Sequence, residues 1–277
     1  MSAPKVRRGG KVVYIRKSDR DDDDNTTTMA ANVTGGTFTL TQKLISDDFK
    51  PSDIATHTVN DIQKMSDDEF VSFLNDIKTL DIPEFLANSD TQRFVTAINL
   101  NNQPQIVDSN TFDKMSGTTW YRTVNGVYDR STDVGMTGKD IAEQTMYGEL
   151  SRIGGGYYGD GFYFADTYAG SVAYGKTVGD ISKTAVMRTK IDSKKEKTID
   201  YYQLDNMLRK ESPKVQRAIN KMVGVQGYNA SEQGYIAYAI KKGYNTIDVG
   251  NYKVVLDRSV LVMDKDIRKS NGRNGKW

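Results

Sequence analysis

The stretch GDGFYFADTYAGSVAYG, residues 159–175, combines tyrosines with small residues at a spacing that could hold a flat ligand. Its FYFA segment predicts a short strand carrying Tyr163, and the residues that follow predict a helix capped by Asp166. Ser171 and Tyr174 are three residues apart on that helix and therefore share a face. If the helix folds back over the strand, the two tyrosine rings face each other, with Ser171 at the edge of the slot between them.

Such a slot would fit one flat heteroaromatic ring that carries a polar group. Judged on residue types alone, an aromatic core around a tight turn is the favoured alternative, because aromatic stripes usually serve packing. The glycines do not indicate a phosphate-binding loop. Gly159 and Gly161 precede a strand, whereas the dinucleotide fingerprint follows a strand and opens a helix.

The same stretch resembles the nicotinamide-site segment of the ADP-ribosyltransferases related to diphtheria toxin and the poly(ADP-ribose) polymerases. That family pattern is Gly-x-Gly-(Ile/Phe)-Tyr-Phe-Ala-Asp, four variable residues, then Ser-x-x-Tyr. The matching positions here are Gly159, Gly161, Tyr163, Phe164, Ala165, Asp166, Ser171 and Tyr174. The resemblance implies that Tyr163 and Tyr174 sandwich the nicotinamide ring of NAD and that Ser171 bonds its carboxamide.

Arg122, in the predicted strand TTWYRTV of residues 118–124, resembles the arginine that opens the site in the cholera-toxin-like branch of the family. A guanidinium suits this position, because its planar fork can hold ribose and phosphate oxygens. A surface salt bridge is the alternative role for it. Thr123 stands where the family has glycine, and the Ser-Thr-Ser strand of the arginine branch is missing, so the chain mixes two family patterns.

The family's third element is a glutamate at the start of a late strand, and this chain departs from it. The matching strand, GNYKVVLDRS, begins with Asn251. Three carboxylates are alternatives for the missing group: Glu232, Asp248 and Glu149. We prefer Glu232, because it begins a predicted helix that leads back to the matching strand. The catalytic set expected from the resemblance is therefore Arg122, Tyr163 and Glu232.

The resemblance implies a mono-ADP-ribosyltransferase that uses NAD as substrate, releases nicotinamide and needs no metal. The alternative is a weak or inactive NAD-binding module that acts as a virion-associated or interaction protein, since similar segments occur in bacteriophage proteins. The acceptor, protein or nucleic acid, is left open. The NAD-binding residues expected from the family are Tyr121, Arg122, Thr123, Gly161, Tyr163, Phe164, Ala165, Ser171, Tyr174 and Asn251.

Composition excludes several other kinds of chemistry. The chain contains no cysteine and one histidine, His57, so thiolate nucleophiles, cysteine zinc sites and multi-histidine metal sites are ruled out. The net charge of +2 points to no polyanionic partner for the chain as a whole. No apolar run approaches a membrane span or a signal peptide, which predicts a cytoplasmic protein, in a host cytoplasm or a virion if it is phage-encoded.

The order of predicted elements indicates an α+β fold with a split, mainly antiparallel sheet. We divide the chain into a charged N-terminal tail at 1–45, a small helical region at 46–117, the transferase-like domain at 118–264 and a basic tail at 265–277. The two charged tails are candidates for binding a virion or host protein.

Capping patterns and turn residues place the helices. Ser66 and Glu69 form a capping box ahead of one helix, and Thr137 caps a helix at 137–150. Pro213 breaks the helical stretch 200–223. A further helix is predicted at 231–243, and strands are predicted at 162–165, 183–191, 244–249, 252–257 and 260–263.

Overall fold

The computed structural model describes residues 5–8, 11–14, 29–34, 37–38, 56–82, 89–98, 100, 103–129, 134–147, 161–178, 184–222, 234–269 and 277. Four short strands lie within the predicted N-terminal tail and pair antiparallel in chain order. They are β1 (Lys5–Arg8), β2 (Lys11–Tyr14), β3 (Met29–Thr34) and β4 (Thr37–Phe38).

Short capped helices build the region before the main sheet. They are α1 (Val59–Lys64), α2 (Asp67–Asp76), α3 (Asp90–Ala97) and α4 (Ser109–Lys114), with strand β5 (Gln105–Val107) between the last two. Ser66 and Glu69 form the predicted capping box, in which the serine hydroxyl accepts from the Glu69 amide and the glutamate accepts from the Ser66 amide. Thr58 and Asp61 form a second one at α1.

Eight further strands belong to the main sheet: β6 (Trp120–Asn125), β9 (Phe162–Ala165), β10 (Thr184–Ile191), β11 (Thr198–Asp200), β12 (Thr246–Asp248), β13 (Tyr252–Val255), β14 (Leu261–Asp264) and β15 (Arg268–Lys269). In the described part of the chain they form, with β5, one open sheet of nine strands in the order β11-β12-β13-β9-β6-β10-β14-β5, with β15 also paired to β10. Its pairs are antiparallel except at the two ends of that order, where β11–β12 and β14–β5 run parallel. The predicted α+β class with a mainly antiparallel sheet is confirmed.

The sheet is weakly joined at its middle. Strands β6 and β10 pair over six positions, and β13 and β9 pair over four. Between β6 and β9 only Tyr121 and Ala165 pair. We call this junction the seam. Two half-sheets therefore meet at one position and diverge on either side of it.

The remaining helices lie between the strands of this sheet in chain order. They are α5 (Gly138–Tyr147), α6 (Tyr168–Val178), α7 (Tyr201–Leu208), α8 (Pro213–Asn220) and α9 (Tyr235–Lys241), and strands β7 (Val127–Asp129) and β8 (Val134–Met136) form a hairpin before α5. Thr137 caps α5 as expected, in a reciprocal pair with Asp140. The Asp166 cap is wrong by one residue, because the Thr167 hydroxyl accepts from the Gly170 amide.

One apolar core runs through the helical region and the sheet. It includes Phe70 and Phe94 from the helices before the sheet, Phe162 and Val254 from the sheet, and Tyr238 from α9, each at most 1 % exposed. The helical region is therefore a layer of the same core. Among the described residues, no helix has the length and apolarity to cross a membrane.

Candidate nicotinamide site

The strand β9 and the helix α6 bring Tyr163 and Tyr174 face to face. Their rings are parallel within 9°, and their centroids are 6.3 Å apart. In the β9–β13 ladder Tyr163 is opposite Val254, and the buried Phe162 and Phe164 project to the other face of the sheet. The alternation of β9 thus gives one ring to the site and two to the core.

A close contact between α6 and β6 fixes the third side chain of the predicted slot. Gly175 lies so near β6 that a Cβ there would meet the Thr123 Cγ2 at 2.5 Å. At this approach the hydroxyls of Thr123 and the buried Ser171 are 2.6 Å apart and hydrogen-bonded. Thr123, the departure from the family's glycine, is therefore in direct contact with the residue expected to bond the carboxamide.

Arg122 reaches into the seam between β6 and β9. Its Nη1 donates to the Tyr163 carbonyl oxygen over 3.3 Å, and its Cζ lies 5.4 Å from the Phe162 ring centroid and 5.9 Å from that of Phe164. In a continuous β6–β9 ladder a backbone N–H of β6 would donate to this carbonyl oxygen. Here the Arg122 side chain is the donor instead. The guanidinium thus sits where the two half-sheets diverge.

The charge of Arg122 is poorly compensated by the described residues. Its Nε is buried and has no hydrogen-bond partner. Burial lowers the pKa of Arg122 to about 10, opposed only by weaker effects of Tyr174 and Tyr163. An anionic ligand would compensate a buried cation of this kind. The expected salt-bridge alternative finds no partner within the described ranges.

These groups surround one cavity of about 60 Å³, lined by Tyr121, Arg122, Thr123, Tyr163, Ala165, Ser171, Tyr174 and Tyr252. All but Tyr252 belong to the expected NAD-binding set. Complete ligand pockets are usually roughly 300–1,000 Å³, so this cavity must enlarge to admit even the ring end of NAD. A ring between two others needs about 7 Å, twice the contact distance of roughly 3.5 Å between carbons, so we expect the tyrosines to separate slightly on binding.

Tyr252 is the lining residue that sequence reasoning missed. It is opposite Ala165 in the β13–β9 ladder, and its ring centroid is 6.4 Å from that of Tyr174 at 57°. Its position directly after Asn251, at the start of the matching strand, was the available signal. Period-two alternation puts Tyr252 rather than Asn251 on the face of Tyr163.

Several expected residues lie near the cavity without lining it. Phe164 is fully buried on the opposite face, and a Cβ at Gly161 would meet the Val254 Cγ1 at 2.5 Å, so that glycine serves close packing. Asn251 is exposed, and its carbonyl oxygen accepts from the Asp166 amide over 3.0 Å. The backbone of Asn251 thus closes the end of β9.

The candidate carboxylates do not complete the site within the described residues. Asp248 accepts from the Gly250 amide and lies 4.0 Å from Lys253, whose ammonium is also paired with Glu196. Glu232 and Glu149 lie outside the described residues. No group of three or more potential metal-ligating side chains comes together in the described ranges.

Comparison with known proteins adds nothing to this geometry: no family model, curated protein or solved structure matches the chain.

Proposed function

We propose that this chain binds NAD and transfers its ADP-ribose to a macromolecular acceptor, with release of nicotinamide. The observation that carries the proposal is the pair of parallel rings, Tyr163 and Tyr174, around one cavity with Ser171 and Arg122. This combination matches, residue by residue, the motif resemblance described above. An aromatic core would also stack the rings, but it would not leave a cavity lined by a hydroxyl and a buried guanidinium.

The reaction breaks the bond between the nicotinamide nitrogen and C1′ of the ribose. In the proposed pose the tyrosine rings hold the nicotinamide, and the Ser171 hydroxyl bonds its carboxamide. Arg122 faces the ribose and phosphate oxygens, for which its unpartnered Nε is a free donor. Charge develops at C1′ as the bond breaks, and the acceptor attacks from the opposite face. A positioned negative group is needed to stabilise that charge.

The carboxylate that supplies this negative group is the part of the proposal most open to test. Glu232 is the preferred candidate, with Asp248 and Glu149 as alternatives. Removing such a transition-state partner typically lowers the rate about 10²–10³-fold. Nicotinamide release from labelled NAD is measured for the wild type and for Glu232→Gln, Asp248→Asn and Glu149→Gln. We expect slow turnover by the wild type and its loss in Glu232→Gln.

A second candidate function, NAD binding without turnover, is favoured by one observation. None of the described residues that line the cavity is a carboxylate, and Asn251 at the family's glutamate position is exposed. The two functions separate in one experiment, in which NAD binding is measured by calorimetry and nicotinamide release on the same sample. Binding without release above background supports the interaction module. Absence of both overturns the NAD proposal altogether.

A further inference from the structure

A second cavity, of about 310 Å³, lies away from the candidate nicotinamide site, among the helices α7 and α8 and the start of α9. It is lined by Tyr201, Asp205, Leu208, Arg209, Gln216, Asn220 and Tyr235. Helix α7 follows directly from β11, at the end of the sheet order, whereas the nicotinamide site lies at the seam. The proposed transferase reaction leaves this cavity without a role.

An exposed tyrosine stands beside the cavity. The Tyr202 side chain is 72 % exposed, and the other large apolar side chains among the described residues are buried or half-buried. Its ring packs against Tyr201, with centroids 5.5 Å apart at 74°, and Tyr201 packs in turn on the buried Tyr235 at 5.2 Å and 84°. Tyr202 is thus supported from behind while most of its surface meets solvent. An exposed, supported ring of this kind is a stacking platform.

One cation, Arg209, lines the same cavity, and others lie on helix α8, which lines the cavity through Gln216 and Asn220. Arg209 lies seven residues after Tyr202 and so shares its helical face, and its Nε donates to Asp205 over 2.7 Å. That bond holds the guanidinium in place while the side chain stays 73 % exposed. Arg217 and Lys221 lie four residues apart, so they share one side of α8 and its C-terminal end, and both are exposed.

The charge of this surface is positive after its internal pairs are counted. The carboxylate of Asp205 is paired with Arg209, and that of Glu211 with Lys242. Asp200, which caps α7 by accepting from the Tyr202 amide, adds one exposed negative charge. In contrast, Lys210, Arg217 and Lys221 make no ion pair within the described residues and are exposed. We call Tyr202, Arg209, Lys210, Arg217 and Lys221, together with the cavity, the tyrosine–cation surface.

We propose that the tyrosine–cation surface binds single-stranded nucleic acid. One base stacks on Tyr202, and the exposed cations contact the phosphates on either side, which is the combination that sequence-tolerant single-strand binding uses. The cavity beside the ring is polar and large enough for a neighbouring base. An acidic peptide would satisfy the cations but would leave the exposed ring without a partner. The inference goes beyond the proposed transferase reaction and does not depend on it.

The test uses the full chain without NAD and fluorescein-labelled 20-mers of oligo(U) and oligo(dT), followed by fluorescence anisotropy at several salt concentrations. We expect both to bind, because stacking and phosphate contacts do not require a 2′-hydroxyl. Tyr202→Ala is expected to weaken binding about tenfold, the order of one lost base–aromatic stack. Because Tyr202 is exposed, the variant should keep the melting temperature of the wild type. An unchanged melting temperature would show that the variant folds.

Charge removal gives an independent arm of the test. Arg217→Ala/Lys221→Ala should weaken binding and reduce the slope of log affinity against log salt by about 1.4, or roughly 0.7 for each lost phosphate contact. The matched control, Lys114→Ala/Lys265→Ala, removes the same charge from exposed positions elsewhere and should leave both quantities unchanged.

Three results would overturn the inference. The first is no anisotropy change with either oligonucleotide at low salt. The second is an equal loss of affinity in the control double variant, because binding would then reflect overall charge alone. The third is unchanged binding in Tyr202→Ala together with full competition by poly-glutamate, which would assign the surface to acidic peptides. Loss or retention of NAD binding affects none of these readouts.

Discussion

The two buried arginines Arg122 and Arg258 have similar surroundings and different tasks. Both approach the Phe162 ring, at 5.4 and 6.0 Å, and burial lowers the pKa of each to about 10. Arg258 donates to the carbonyl oxygens of Gln144 and Thr145, in the last turn of α5. Arg122 donates to one strand carbonyl, that of Tyr163, and lines the cavity at the seam. Arg258 therefore binds a helix end, whereas Arg122 lies at the site where we propose that NAD binds.

This difference predicts opposite effects of the same substitution. Arg122→Met removes a poorly compensated buried charge, so the free energy of unfolding should stay equal or rise, whereas NAD affinity should be lost. Arg258→Met should lower the free energy of unfolding by about 1–3 kcal/mol, because it leaves helix carbonyls without a donor. Denaturant unfolding and calorimetric NAD titration measure the two quantities. If Arg122→Met destabilises the chain as much as Arg258→Met, Arg122 is a structural charge.

The paired rings give the second prediction at this scale. Tyr163→Ala should cost about 1–3 kcal/mol of binding to NAD or nicotinamide, the loss of one aromatic stack on a base. Tyr163→Phe keeps the ring and serves as the matched control. Isothermal titration compares the three proteins. Equal affinity of the alanine variant and the wild type would show that the rings pack on each other and hold no ligand.

At the residue scale, the sequence predicts most of the residues that line the cavity, but it does not identify the carboxylate that the proposed reaction needs. Tyr163, Ser171 and Tyr174 come together because strand and helix periodicities set their directions over a short stretch of chain. Tyr252 was missed because the strand pairing register between β13 and β9 decides whether its side chain lies beside Tyr163. That register cannot be predicted from a local sequence pattern. For the same reason, spacing alone could not decide among Glu232, Asp248 and Glu149 for the carboxylate that the proposed reaction needs.

At the element scale, the site depends on how closely α6 approaches β6. The helix carries Ser171 and Tyr174, the strand carries Arg122 and Thr123, and Gly175 lets the two come together. The Thr123–Ser171 hydrogen bond of 2.6 Å forms at this contact. A bulkier residue at position 175 would act on the slot without contacting the ligand.

We therefore expect Gly175→Ala to weaken nicotinamide binding. The added methyl would meet the Thr123 Cγ2 at 2.5 Å, so either the helix or the Thr123 side chain must move, and either movement disturbs the Thr123–Ser171 hydrogen bond. Ala169→Ser, at an exposed position of the same helix, is the control and should bind as the wild type does. Calorimetry measures both affinities. Unchanged affinity in Gly175→Ala would mean that the slot does not depend on this contact.

The local sequence predicts where the helices lie better than it predicts the residues at which they begin and end. The break at Pro213 is found as predicted, because proline begins α8 at its first turn with Ser212 as cap. The helix predicted at 231–243 is described only from Tyr235 to Lys241, and the one predicted at 137–150 only from Gly138 to Tyr147. The pairing order of the strands could not be predicted, since it is decided by contacts far apart in the chain.

At the scale of the whole molecule, the helices before the sheet and the sheet itself share one core. Phe70 and Phe94 have no exposed surface and belong to the same apolar cluster as Phe162 and Tyr238. Sequence reasoning set a boundary at residue 117 because the chemical motifs begin after it. The buried apolar cluster contains residues from both sides of that boundary.

This shared core predicts that residues 118–277 do not fold without the preceding helices. Their removal would expose the apolar surface that α9 and the sheet bury against them, and burial of this kind contributes about 25 cal/mol per Å². We expect the shortened chain to lack a cooperative melting transition, whereas the full chain should unfold its helices and sheet in one transition. Calorimetry and circular dichroism decide this. A cooperative transition in residues 118–277 would show two independent units.

The single pair of residues at the seam has a mechanical consequence. A sheet pulled apart across its strands yields where the fewest hydrogen bonds share the load, and here that place is Tyr121 and Ala165, helped by the Arg122 side chain. Tyr163 lies on one half-sheet, and Tyr174 lies on the helix that packs against the other half-sheet. A ligand bound between these two rings would therefore hold the half-sheets together. Force applied across the seam in an optical trap should therefore open the unliganded protein first at this line, and saturating nicotinamide should raise the rupture force.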